Sequence, residues 1–244
     1  VKLRVHIAPV GFEIDRIIVP AINMRADKVW LIGHANLSSD KARPFLEKIR
    51  KTLAKKNIQV KEVTADRFRL FDIVKTVKEI IFEEQNNDVY LNVASGSKIH
   101  AVGMMMATMI FDDRSNLHPF YAQAKEYHHT KLSEPQTSGI EAIHDLPTYR
   151  IQTPEKKHLE ALKVLVDNGG KLKKKEMAEI AEEQKIIIIN AEPSNHSQAR
   201  FASLDKNIIS PLEHDWGYIT TEKVGRNRWI HLTDEGRWAS EFLI

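Results

Sequence analysis

The residues best suited to chemistry lie in one run, Asn92-Val93-Ala94-Ser95-Gly96-Ser97-Lys98-Ile99-His100. Ser95, Gly96 and Ser97 are small enough for the backbone to approach a bound group closely, and Lys98 adds a point charge. The run follows Val89-Tyr90-Leu91, which reads as a buried strand. It leads into Ala101-Val102-Gly103-Met104-Met105-Met106-Ala107-Thr108-Met109, which reads as a helix. Such a turn sits at the carboxyl edge of a parallel sheet, with free N–H groups and the positive end of a helix facing outward. The chemistry implied is a phosphate cradle. The first glycine of a Walker A loop is missing and Ile99 follows the lysine, so the run is neither that loop nor G-x-G-x-x-G. The same residues also suit a capped helix start that binds nothing, and spacing alone does not choose between the two.

The turn needs a scaffold, and the preceding sequence reads as one. Leu3 to Pro9 alternates as a first strand, followed by Val10-Gly11-Phe12-Glu13 and a helical pattern at Ile14, Ile17, Ile18, Ala21 and Ile22. Lys28 to Gly33 reads as a second strand, and Asp40 as the cap of a helix carrying Phe45, Leu46, Ile49 and Leu53. Ile58 to Val63 is the third strand, Phe71 to Ile81 a long helix, and Leu117 to Ala122 a fifth strand. Nearly continuous apolar strands alternating with helices predict an α/β, Rossmann-like parallel-sheet domain with helices on both faces. Glu134 to Gly139 reads as loop, with short strands on either side. Met104, Met105, Met106 and Met109 read as core filler, and His128-His129 as solvated loop histidines rather than a metal pair.

The 244 residues suffice for one large domain or two modest ones, and 42% hydrophobic with 28% charged residues is a globular balance. With no cysteine there is no disulfide framework, thiol nucleophile or Cys-ligated zinc. No apolar run reaches the length of a membrane span and no signal-peptide pattern opens the chain, so the expectation is a cytoplasmic protein with no membrane partner, cofactor or metal. Residues 1–150 hold 22 basic and 18 acidic side chains, and residues 151–244 hold 14 and 15. A nucleic-acid role for either half must therefore rest on a local patch.

The character changes near Thr153-Pro154-Glu155, which predicts domains at 1–152 and 153–244. Thr153 reads as a cap and Pro154 as the first position of a helix that ends at Asn168-Gly169-Gly170. A second helix runs from Lys173 to about Gln184, and the β-branched run Ile186 to Ile189 favours strand. A third helix carries Phe201, Leu204, Ile208, Ile209 and Leu212. Trp216 to Thr221 and Arg228 to Leu232 make a hairpin, and Thr233 to Ile244 a closing helix. The order is that of a winged helix-turn-helix domain, and its last part resembles the MarR- and ArsR-like regulators. In that arrangement the third helix enters a major groove, with Gln198, Arg200, Ser203, Lys206 and Asn207 as its polar readers of double-stranded DNA. Lys223, Arg226 and Arg228 on the wing suit phosphates or a minor groove. A protein–protein module remains the alternative.

Taken together, the chain resembles the CRISPR-associated Rossmann-fold (CARF) regulators, including the archaeal Csa3-like group. Val10-Gly11-Phe12-Glu13 and Asn92-Val93-Ala94-Ser95-Gly96-Ser97-Lys98 carry the resemblance, the second being similar to the family's Asn-x-[Thr/Ser]-Gly-Gly-[Thr/Ser]-[Lys/Arg] turn. The chain departs at Ser95, where the family often has Gly, and at Ala94, where it often has Thr or Ser. The resemblance implies a homodimeric sensor that binds a cyclic oligoadenylate or related nucleotide. Val10, Gly11, Phe12, Asn92, Ser95, Gly96, Ser97 and Lys98 would form its ligand site, and the winged helices would respond to the ligand. It implies no catalytic residue, although some relatives slowly cleave their ring. Nothing in the sequence forces a histidine or carboxylate next to Ser97 and Lys98 as a general base.

Overall fold

The computed structural model describes residues 2–36, 40–112, 116–128 and 134–244. The chain divides into two compact units, residues 1–152 and 153–244. The first is built from β1 (Arg4–Pro9), α1 (Asp15–Asn23), β2 (Lys28–His34), α2 (Arg43–Lys55), β3 (Gln59–Ala65), α3 (Leu70–Glu83), β4 (Asp88–Asn92), α4 (Lys98–Phe111), β5 (Leu117–Tyr127) and β6 (Thr137–Asp145). The sheet order is β3-β2-β1-β4-β5-β6, with five parallel strands and β6 antiparallel at the edge. Val5, Ile7, Val29, Leu31, Val89 and Leu91 are fully buried because helices cover both faces. The crossovers put α1 and α2 together on one face and α3 and α4 on the other. Strand order reverses between β1 and β4, and the two turns carrying the motifs follow those two strands.

Several local readings are corrected. Thr137, Ser138 and Gly139 are strand, not loop, because they pair with β5 up to Tyr127. Helix α2 starts after Ala42, and Asp40 lies two residues earlier, its carboxylate taken by the Ala42 N–H at 3.0 Å and by the Arg67 guanidinium. Of the four methionines only Met104 is fully buried; Met105, Met106 and Met109 are half-exposed. His128 bonds Ser138 at 2.8 Å at the surface, and His129 lies outside the described residues.

The second unit comprises α5 (Lys156–Asp167), β7 (Lys171–Lys173), α6 (Lys174–Glu183), α7 (His196–Leu204), β8 (Ile219–Val224), β9 (Asn227–Leu232) and α8 (Asp234–Leu243). Helix α7 continues through two wider turns, Asp205–Ile209 and Pro211–Asp215. Strands β7, β9 and β8 form an antiparallel sheet whose β8–β9 hairpin is the wing. Helix α5 begins after Glu155 rather than Thr153, since its inward face starts only at His158. Ile186 to Ile189 is not strand. Lys185 turns the chain at φ 59°, and the N–H groups of Ile186 and Ile187 both bond the Ala181 carbonyl. Ile186 and Ile187 then face the core while Ile188 is 76% exposed, and the segment pairs with no strand of the three-stranded sheet. The three residues of β7 are too few to show a period.

Pro20 sits inside α1 and has no N–H for the Arg16 carbonyl four residues back. Asn92 supplies the missing donor: its Nδ2 reaches that carbonyl at 2.7 Å, and its Oδ1 accepts the Ala94 N–H at 3.0 Å. Asn92→Ala should therefore leave two buried backbone groups unpaired and cost about 2–4 kcal/mol. In a Pro20→Ala background the new N–H replaces one of the lost bonds, and the cost should fall by about 1–2 kcal/mol. Urea unfolding of the four-member cycle measures this coupling; additivity would reject the clasp.

Candidate functional site

The turns after β1 and β4 touch. A Cβ on Gly11 would lie 3.1 Å from the Gly96 Cα, and Gly96 itself sits at φ +78°, where a Cβ would come 2.6 Å from that of Pro9. Only two residues without side chains allow these backbones to meet at the switch point, the place in an open α/β sheet where ligands bind. Arg16 closes the arrangement from α1. Its Nη1 donates to the Ala94 carbonyl at 2.9 Å, and its Nη2 to the hydroxyls of Tyr121 (3.1 Å) and Tyr127 (2.9 Å).

Ser97 caps α4, and His100 closes a reciprocal box with it. The Ser97 N–H donates to His100 Nδ1 at 3.1 Å, the His100 N–H donates to Ser97 Oγ at 3.3 Å, and Oγ lies 2.9 Å from Nδ1. With Nδ1 accepting, the ring proton belongs on Nε2, which is buried and without a partner among the described residues. Burial first, then Arg67 and His34, push this imidazole down to about 4, so it is neutral at ordinary pH. Lys98 follows at the first helical position, exposed, and α4 presents its first-turn N–H groups to the same edge.

The predicted ligand residues divide by what they can offer. Gly96, Ser97 and Lys98 present backbone, a hydroxyl and a charge at the surface. Ser95 is buried, with a hydroxyl that has no partner among the described residues. Val10 is core, and Phe12 packs edge-on to Phe45 at 5.6 Å. The Asn92 amide is spent on backbone, so it shapes the turn rather than facing outward. Sequence reasoning missed Arg16, Tyr121 and Tyr127, which lie 78 or more residues from the Ala94 carbonyl or from Arg16 itself and carry no local signal. It also missed His100, although a polar residue three positions after a capping serine was the available clue.

In the second unit the predicted DNA readers also divide. Gln198 and Lys206 are exposed on α7. Arg200 instead pairs with Glu182 (Nε–Oε2 3.4 Å), and the Asn207 Nδ2 donates to Ser203 Oγ at 3.1 Å. The Asn207 carbonyl accepts from His158 Nε2 at 2.9 Å, because Pro211 four residues on has no N–H to give it. These three side chains are engaged in holding the domain together. Lys223, Arg226 and Arg228 are exposed on the wing.

The fold is thus a six-stranded, mostly parallel Rossmann-like sheet joined in one chain to a winged helix. Residues 4–127 match the family described as HFX_2341_N-like, N-terminal, and residues 157–244 match the DUF6293 C-terminal winged helix domain. The chain belongs to the HFX_2341_N-like family. It is similar to the uncharacterized protein MJ1513 of Methanocaldococcus jannaschii, with 38% identity over 128 residues, covering 50% of this chain. The match spans only 38% of that relative's length. Among solved structures it is similar to Enterococcus italicus Csm6 bound to cyclic hexa-2'-fluoro-hexa-dAMP, at a TM-score of 0.42 and 12% identity over 88% of this chain and 56% of that one. Can2 from Sulfobacillus thermosulfidooxidans, in complex with cyclic tetra-adenylate, gives 0.41 and 13% over 97% and 61%. Protein VC1899 from Vibrio cholerae gives 0.43 and 11% over 98% and 64%.

The capping histidine has a consequence in acid. Its folded pKa near 4 lies below the ordinary 6.5, and that of His6, lowered by burial and by Arg4, is also about 4. The unfolded chain therefore binds protons first as pH falls. This stability is whole above about pH 6.5 and is lost progressively toward about pH 4, on the order of 3 kcal/mol for each group. His100→Gln keeps an acceptor for the Ser97 N–H but no longer titrates. Urea unfolding should show a flatter loss for it than for the parent between about pH 6.5 and 4.5; an unchanged slope would mean that His100 is not held neutral.

Proposed function

We propose that this chain is a ligand-responsive, DNA-binding transcriptional regulator of the cytoplasm. Its N-terminal unit binds a cyclic oligoadenylate or related nucleotide as a homodimer, and its winged helix binds double-stranded DNA. The observation that carries the reading is the meeting of Gly11 and Gly96 at the switch point, directly below the head of α4. Phosphates of a bound ring would accept from the N–H groups of Lys98 and Ile99, since that of His100 is given to Ser97, and from the Ser97 hydroxyl, with Lys98 balancing their charge. Val10, Phe12, Asn92 and Arg16 set the shape of the turns from behind, and no cofactor or metal is needed.

Helix α4 supports the dimer. After Lys98 and His100 it contains no charged residue, yet Ile99 (39%) and Val102 (49%) are exposed and continue toward the half-exposed Met106 and Met109. The 3-4-3 spacing makes one apolar stripe, and a helix apolar on every side is normally covered. A second copy on that stripe would bring a second Lys98 near the first. Ligand would alter DNA affinity to the extent that it favours one placement of the paired winged helices over another.

A second reading, slow cleavage of the ring, is favoured by Ser97, whose hydroxyl stands at the cradle hydrogen-bonded to His100. There a ribose 2′-hydroxyl would attack the adjacent phosphate, leaving a cyclic phosphate and a free 5′-hydroxyl.

Isothermal titration with cyclic tetra- and hexa-adenylate tests the sensor. The expected outcome is one ring per two chains, with affinity falling at least about tenfold in Lys98→Ala through loss of a charge-assisted contact. Chromatography of the titrated sample reads out cleavage. Absence of binding to either ring would reject the nucleotide sensor.

A further inference from the structure

Phe68 is 79% exposed, yet its place is firmly set. It lies just beyond β3, on a turn closed by Asp66. The Asp66 N–H donates to Asp72 Oδ2 at 2.6 Å, its Oδ1 accepts the Phe68 N–H at 3.0 Å, and its carbonyl accepts the Arg69 N–H at 3.0 Å. The ring stands perpendicular to that of His34, the last residue of β2, with centroids 5.8 Å apart. His34 is itself buried, at 9% exposure, and its Nδ1 has no partner among the described residues. A single exposed apolar side chain is ordinary on a protein surface. One held on a hydrogen-bonded turn and backed by a buried imidazole is a built surface.

Strand order places this ring at the candidate ligand edge. Strands β3, β2, β1 and β4 are parallel neighbours, so the turn carrying Phe68 leaves the sheet at the same carboxyl edge as Gly11 and Gly96. Arg67 and His34 both lie near enough to the His100 imidazole to help lower its pKa, so the turn reaches toward the head of α4. The ends of β2 and β4 are two strand spacings apart, ~10 Å, which is the scale of one nucleotide from base to phosphate. Arg67 is paired with Asp40, so this turn offers the edge an open ring face rather than a further cation. The Ser97 hydroxyl, Lys98 and the helix N–H groups suit phosphate and do not distinguish a base-bearing ligand from any other polyanion.

We propose that Phe68 is the stacking platform for a nucleobase of the ligand whose phosphates rest on the head of α4, with His34 holding the ring upright from behind. The inference rests on the nucleotide-sensor reading given above and gives that site its base-recognising residue. Every base has a π face, so stacking selects base-bearing anions over simple phosphates without reading which base is present. An uncharged contact also leaves a different signature from a phosphate contact, which salt screens.

The experiment is isothermal titration of the full chain with cyclic tetra- and hexa-adenylate at about 50 and 500 mM salt. Phe68→Ala should lower affinity about 5- to 150-fold, the worth of one base stacked on an aromatic ring, and by the same factor at both salts. The loss in Lys98→Ala should shrink at the higher salt. Phe68→Leu, apolar without a π face, should behave like Phe68→Ala. Phe68→Trp should bind like the parent, and its added fluorescence, read as the difference from the parent, should be quenched by the bound ring. Thermal unfolding should be the same for all Phe68 variants, since the side chain is exposed. Parent-like affinity in Phe68→Ala, or its recovery in Phe68→Leu, would overturn the platform and leave the sensor standing. A parent chain that binds neither ring would overturn both.

Discussion

A proline inside a helix donates nothing to the carbonyl four residues before it, and in both units of this protein another element supplies the donor. Pro20 frees the Arg16 carbonyl, which Asn92 takes from the end of β4. Pro211 gives no N–H to the Asn207 carbonyl, which His158 takes from α5. A buried carbonyl without a partner is costly, so each proline makes a long-range contact obligatory. In the first unit that contact decides where the β4 turn lies. Once Asn92 is tied to α1, Arg16 can hold the Ala94 carbonyl and Gly96 falls against Gly11.

The candidate ligand edge is thus formed by groups that face away from it. Asn92, Arg16 and Phe12 spend their polar atoms or their area on backbone and core. What they leave at the surface is a short polypeptide stretch with small side chains, one hydroxyl, one cation and the free end of a helix. Preorganisation of this kind reduces what a ligand must order when it binds. His100 contributes in the same way: held neutral by burial, it keeps Ser97 in its cap geometry without adding a charge to the edge.

The winged helix separates stability from surface charge in a comparable manner. Arg200, Ser203 and Asn207 are consumed by contacts to Glu182, to each other and to His158. The free cations gather elsewhere, where a three-residue strand brings the start of α6 to the wing. A domain of nearly balanced charge can still present a concentrated positive cleft, because folding sorts charges that composition only counts.

The sequence by itself determined the layout: alternating strands and helices, the change of character near Thr153, and both motif turns at strand ends. Those features are periodic or local, and the physics that produces them acts within a few residues. It also made the Ser97 cap readable, along with the exposed wing arginines. Tertiary structure alone decided which of these polar residues remain free. Whether Asn92 faces a ligand or a carbonyl depends on Pro20, 72 positions earlier in the same numbering. Whether Arg200 reads a base depends on Glu182 across a turn. Strand β7 was invisible because three residues show no period, and with it went the cleft beside the wing. Hydrogen-bond satisfaction and charge pairing are global conditions, met between segments that no window of sequence contains.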